Sequence, residues 1–296
     1  MARGRSWRRA AVAGLLALAL VVGWSAIGPA AQAQVQPQVA QGEDSLGARL
    51  RPLLRLDELD AIIVMEMAAT ARADAGPGQR QFLSAWERAS AEVLSADRIG
   101  RLVSVALDRR LEKVDPAEVW SAIAFAASPF GQRVTELQLS ARRMMTDPVA
   151  ADAAGAAFDI AAARSDPRAD RIRRLVAADG LAEASVAYAM TNTLAFLAGM
   201  DRGVPGSVGT EDERIAHVWA QEAEQRAMQA GWAETMLFLA LAPLSDSEIE
   251  ALARHVASPA SRRWDGMIEA SYGDAMALIM NEMGASVARI LGETRL

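Results

Sequence analysis

Two histidines, His217 and His255, are the whole supply of imidazole in this chain of 296 residues, and there is no cysteine. A metal centre would draw on them. Glu213 stands four residues before His217, which puts both on one face of a helix. No second glutamate–histidine pair at helical spacing and no His-x-x-x-His completes such a site, and Glu213 is equally explained as a helix-capping residue. Thioethers are the second candidate chemistry, because soft sulfur ligands select copper(I). Met65-Glu66-Met67, Met144-Met145 and Met276, Met280 and Met283 could supply them. The last three share an apolar stripe, where methionine fills irregular gaps, and Met65 and Met67 point to different faces. An activated nucleophile has no setting either. Gly-x-Ser-x-Gly is absent, and Ser-x-x-Lys has no lysine to use, since Lys113 is the only one. Carboxylates are plentiful, but spacing favours no pair. The sequence therefore assigns no catalytic, cofactor-binding or metal residue. Trp86, Trp120, Trp219, Trp232 and Trp264 are expected as core anchors set against small alanines, or else as the lining of a helical groove.

The punctuation that must position any site is clearer. Asp115-Pro-Ala-Glu118 followed by Ser128-Pro129 recurs 130 residues on as Ser245-Asp-Ser-Glu248 followed by Ser258-Pro259. In each, a cap residue with glutamate three positions later reads as a capping box, in which the cap oxygen and the glutamate satisfy each other's amides. Roughly ten helical residues follow, then serine caps a new helix whose first position is proline, the one place where a missing N–H is harmless. Phe125 would pack across the first corner, and Gly131 would let the two helices approach closely.

Stripes at spacings of three and four fill the intervals. Phe82, Trp86, Ala89 and Val93 form one; Phe130, Val134, Leu137, Ala141 and Met144 another; Met276, Met280, Met283, Val287 and Ile290 the last. Period-two runs of Val, Ile and Thr are missing, so no strand is expected. The order of signals repeats. Arg49 to Leu59 is echoed by Arg171 to Leu181, the Gly76–Gly78 breaker by Gly203–Gly209, and Trp86 by Trp219 behind a Thr210/Glu213 cap. The expected fold is all-α, with two tandem units of four to five helices over 48–146 and 168–296, joined by an alanine-rich helix within 147–167.

Residues 1–33 read as a secretory leader. Arg3, Arg5, Arg8 and Arg9 precede an apolar run that ends at Pro29, and Ala31-Gln-Ala33 offers a cleavage site after Ala33. A retained anchor is the other reading of that run. Residues 34–47 have no apolar period and read as a flexible tail. The formal net charge is −6, and since the leader carries four arginines and no acid, the remainder carries −10. That sign disfavours nucleic acid and anionic membrane surfaces as partners. Without disulfides, an exported chain must take its stability from its core. Together these features point to the periplasm.

The segment Phe125-Ala-Ala-Ser128-Pro129-Phe-Gly131, after a helix start carrying Glu118, resembles the core motif of an exported bacterial helical family known as domain of unknown function 2059. In the second half His255 stands where Phe125 does and Ser261 where Gly131 does, so that copy departs from the pattern. The resemblance implies an exported helical module and carries over no catalytic residue. The expected function is a non-enzymatic interaction or scaffolding module of the cell envelope. The alternative is a carrier of an apolar small molecule or lipid, and the third reading is a hydrolase with an unrecognised carboxylate site. No cofactor is expected, and the partner would be an envelope protein or an apolar ligand.

Overall fold

A computed structural model describes residues 45–74, 79–179 and 181–293. The leader, most of the tail and the Gly76–Gly78 breaker lie outside the described residues. Within them the chain forms thirteen α-helices and no strand, so the protein is all-α. In the first half, α1 is Leu46–Leu50, α2 Leu56–Asp74, α3 Arg80–Val93, α4 Ala96–Leu111, α5 Trp120–Ala127 and α6 Pro129–Met144. The alanine-rich segment forms α7, Pro148–Ala163. The second half holds α8 (Pro167–Asp179), α9 (Leu181–Gly203), α10 (Glu211–Trp219), α11 (Glu222–Ala240), α12 (Asp246–Val256) and α13 (Pro259–Glu293).

The caps act largely where the sequence puts them. Thr210 with Glu213 and Ser245 with Glu248 both form reciprocal capping boxes. Ser128 and Ser258 accept from the amides of Gly131 and Ser261 at 3.0 and 3.2 Å. The expected box at Asp115 is the exception. Asp115 accepts from the Ala117 amide, residues Pro116–Glu118 form a 3-10 turn, and the α-helix starts only at Trp120. Proline beside the cap favours this tight turn, and Glu118 is drawn instead to Arg263, at 2.5 Å. Two further expectations need correction. Met144, placed on an apolar stripe, is 48% exposed at the end of α6. Trp120 and Trp219, expected as core anchors, are 66% and 61% exposed, whereas Trp86 and Trp264 are buried.

The core is shared between the halves. Ile62, Ile63, Trp86, Ile99, Val103 and Leu107 of the first half pack with Tyr272, Met276, Ile279, Met280 and Met283 of α13. Conversely, Val134 and Ala141 of α6 pack with Ile172, Leu175, Met236, Leu237 and Ile249 of the second half. Each half thus sends the helix that follows its Ser-Pro corner into the other. α13 lies directly on α9, backbone against backbone. A Cβ on Gly199 or Gly284 would fall well under 3.0 Å from the carbonyl oxygens of Asn281 and Phe196 respectively, and one on Gly203 would sit 2.5 Å from that of Ala285. Glycine is needed at this crossing because any side chain would hold the helices apart.

Candidate functional site: a cavity between two helix corners

The Ser128-Pro129 corner is fixed from within. Ser128 Oγ donates to the Phe125 carbonyl at 2.6 Å while accepting from Gly131 N–H. Gln132 Nε2 donates to the carbonyls of Ala126 and Leu53, tying the corner to the turn before α2. The Phe125 ring meets Phe130 edge-on at 5.9 Å, as packing across the corner requires. Gly131 has no room for a side chain, since its Cβ would run into the Phe125 carbonyl.

The two corners, 130 residues apart in sequence, face each other. Phe125 lies flat on His255, with ring centroids 3.6 Å apart and planes 18° apart. On either side, Arg133 Nη1 donates to Glu248 Oε1 at 3.0 Å, and Arg263 Nη1 reaches Glu118 Oε2 at 2.5 Å. Glu118 and Glu248 hold the same place in the two motifs, as do Arg133 and Arg263. Each arginine therefore binds the other half's motif glutamate. Reciprocity of this kind is what a twofold axis produces, residue i meeting j while j meets i.

A cavity of about 130 Å³ opens beside the stacked rings. Its walls come in pairs separated by the same 130 residues: Ala122 and Leu252, Phe125 and His255, Ala126 and Val256, Gly131 and Ser261. Val134 with Trp264, Thr135 with Asp265 and Gln138 with Ile268 continue the series along α6 and α13. Six leucines, Leu54, Leu56, Leu59, Leu139, Leu175 and Leu237, close the remainder together with Arg142. Most of the lining is apolar, as ligand cavities usually are, with a few polar groups among it.

Thr135, Gln138 and Arg142 come from α6, and His255, Ser261 and Asp265 come from the second corner. Ser261 Oγ donates to Asp265 Oδ2 at 2.9 Å, and His255 Nε2 lies 3.2 Å from the same Oγ. Ser261 and Asp265 are buried and His255 half-buried. Burial lowers the His255 pKa below the usual imidazole value, which keeps the ring neutral near pH 7. These are the residue types of a hydrolytic triad in a different order. In a triad the histidine stands between serine and carboxylate so that it can take the serine proton. Here the serine stands in the middle and donates its proton to the carboxylate rather than to His255 Nε2. The arrangement makes a hydrogen-bonding wall rather than an activated nucleophile.

Arg142 contributes the remaining charge. Its guanidinium, buried in the wall, is bidentate to Glu66, with Nε–Oε1 at 2.9 Å and Nη2–Oε2 at 2.6 Å, and it lies over the Trp232 ring at 5.5 Å. Burial raises the Glu66 pKa, against the opposing pull of Arg142. Paired geometry of this quality is what allows two charges to be buried at all.

Of the residues singled out from sequence, Phe125, Gly131 and His255 meet at this cavity, while Ser128, Pro129, Ser258 and Pro259 shape the corners behind it. Glu213 is used in its cap, and His217 Nε2 faces Gln221 Nε2 at 3.3 Å. Among the described residues no group of three or more His, Cys, Asp or Glu side chains is placed to hold a metal ion. No helix among them is long and apolar enough to cross a membrane. Sequence reasoning passed over Thr135, Arg142 and Asp265; Trp264, expected as a core anchor or else as groove lining, is buried in the core and lines the cavity. Carrying the 130-residue offset beyond Gly131 would have paired Thr135 with Asp265 and Arg133 with Arg263. Comparison with protein-family models, with curated proteins and with solved structures finds no match to this chain.

Proposed function

We propose that this chain is an exported, non-enzymatic binding protein that carries one small, largely apolar ligand in the cavity between its two helix corners. The observation that carries this reading is the cavity itself: mostly apolar, with a few polar groups, and built where two corners meet. The same reading takes the halves as copies of one unit related by a pseudo-twofold axis. The reciprocal Arg133–Glu248 and Arg263–Glu118 pairs and the paired lining residues support it. The resemblance of the first corner to the exported helical family stands as part of this proposal. The leader and the absence of cysteine favour the periplasm. The order His255–Ser261–Asp265 argues against hydrolysis. A second reading, an interaction or scaffolding module of the envelope, is favoured by the exposed indoles of Trp120 and Trp219.

Native mass spectrometry of the protein purified from its own host tests the choice. One small molecule per chain, released on unfolding, is the expected result. A ligand-free mass together with a stoichiometric envelope partner would replace the carrier with the interaction module. N-terminal sequencing of the same sample should begin at Gln34, and a retained Met1 would make the protein anchored rather than free.

A further inference from the structure

We infer that the cavity takes a neutral molecule with a body of about six carbons and one hydroxyl group, the body against the leucine walls and the hydroxyl at Thr135 and Gln138 of α6. This rests on the reading of the cavity as a binding site and names the class of ligand. Charge is decided first. Arg142 and Asp265 are the lining residues that could meet a charged ligand, and neither is free. Arg142 is held bidentate by Glu66, and Asp265 accepts from Ser261 Oγ. His255 offers no cation near pH 7, because burial lowers its pKa. A ligand ammonium or carboxylate would therefore have to break a bond the protein already makes, or lie unmatched in an apolar wall. Burying an unmatched charge costs far more than burying a neutral polar group.

A neutral group finds its partners on α6. Thr135 and Gln138 are three residues apart, so they are neighbours on one helix face. Thr135 Oγ1 gives its hydrogen to the Gly131 carbonyl at 3.0 Å, which leaves the lone pairs of that oxygen to accept. The Gln138 carboxamide brings N–H donors as well as an acceptor oxygen. A ligand hydroxyl both donates and accepts, so it can give its proton to Thr135 while accepting from Gln138. An ether or ketone could use the second of these only. Size sets the body. A cavity of about 150 Å³ lined by Leu, Ile and Phe holds benzene, and about 130 Å³ here admits one ring or a chain of similar length. The acyl chain of a membrane lipid is too large for it.

Isothermal titration calorimetry on the full chain at pH 7, with benzyl alcohol, toluene, benzylamine and benzoate, tests this. Benzyl alcohol is expected to bind about fivefold tighter than toluene, the net worth of one neutral hydrogen bond. Benzylamine and benzoate should each bind about tenfold or more weaker than benzyl alcohol. In Gln138→Leu the preference for benzyl alcohol over toluene should fall to about twofold or less, with toluene affinity retained. The wild-type series needs no variant, so it decides even if Gln138→Leu does not fold. Benzylamine or benzoate binding as tightly as benzyl alcohol would overturn the neutral class, and toluene doing so would overturn the hydroxyl; both leave the cavity reading standing. An unchanged preference in folded Gln138→Leu would overturn the role of Gln138. Binding by none of the four would overturn the cavity reading and this one with it.

Discussion

Replacing a helical glycine with alanine should have opposite signs in different parts of this molecule, and the structure says where. In open space the exchange stabilises, because glycine loses more backbone freedom on folding; the gain is about 0.5–1 kcal/mol per helix-interior site. Gly155 of α7, Gly231 of α11 and Gly266 of α13 have nothing within 4 Å of an added Cβ. At Gly199 and Gly284 the same methyl group would lie under 3.0 Å from a backbone carbonyl oxygen of the facing helix. Ordinary van der Waals contact begins at 3.4 Å. Neither rotamer change nor side-chain flexing relieves a clash with main chain, so α9 and α13 must separate. That separation loosens the contact around Phe196 and Met283, both fully buried. Overpacking costs about 1–3 kcal/mol, and a backbone collision belongs at the upper end. Subtracting the propensity gain leaves a net loss of about 2 kcal/mol at each crossing glycine. For a chain of this size, about 2–4 °C in Tm accompanies each kcal/mol. Gly231→Ala should therefore melt about 1–4 °C above wild type, and Gly284→Ala about 4–8 °C below it. Urea and thermal melts of the five single variants measure this. If Gly199→Ala and Gly284→Ala melt at or above Gly231→Ala, the helices do not touch as described and the reasoning fails.

Two further outcomes follow from the polar groups at the cavity. Glu66→Leu should cost about 3–5 kcal/mol in urea melts, since it strips a buried guanidinium of its bidentate partner. Arg142→Met should cost less, because Glu66 can neutralise itself by taking a proton and arginine cannot lose one, and its deficit should narrow from pH 7 to pH 5; equal costs at both pH values would contradict this. His255, its pKa lowered by burial, favours the neutral ring in the folded state. Its contribution is present above the usual value of 6.5 and is lost as pH falls from there through the lower folded pKa. Stability of wild type relative to His255→Phe should accordingly be flat above pH 6.5 and decline below it; a rise on acidification would reverse the assigned sign.

How much of this could be read from the chain alone depended on the range of the interaction. Caps are local, so Ser128, Thr210, Ser245 and Ser258 announced themselves, and the Met276 to Ile290 stripe was buried as its spacing implied. The box expected at Asp115 failed because its glutamate had a better partner 145 positions away in Arg263, which no local rule can see. Trp219 was matched to Trp86 by rough position, but at a strict offset of 130 the residue facing that place is Ala216, and Trp219 is exposed accordingly. The cavity escaped notice for a related reason. Its residues are unremarkable singly, and they gain meaning only when the two corners are set face to face.

Once they are set so, the positions where the two corners differ can be weighed. A perfect pseudo-twofold arrangement would place Phe125 against a second phenylalanine, Gly131 opposite glycine and Thr135 opposite threonine, leaving Arg142, paired with Glu66, as the charged residue of the lining. The second corner instead has His255, Ser261 and Asp265 at these places, and the three are joined by hydrogen bonds at 3.2 and 2.9 Å. None of the substitutions is needed for the corner itself, since Ser258 and Pro259 still cap and start α13. Burying a carboxylate and a hydroxyl in an apolar wall is unfavourable unless each finds a partner, and here the departures from symmetry partner one another. Changes that work against the core singly, yet form one chain at one cavity, are better explained by what the cavity holds than by how the helices pack.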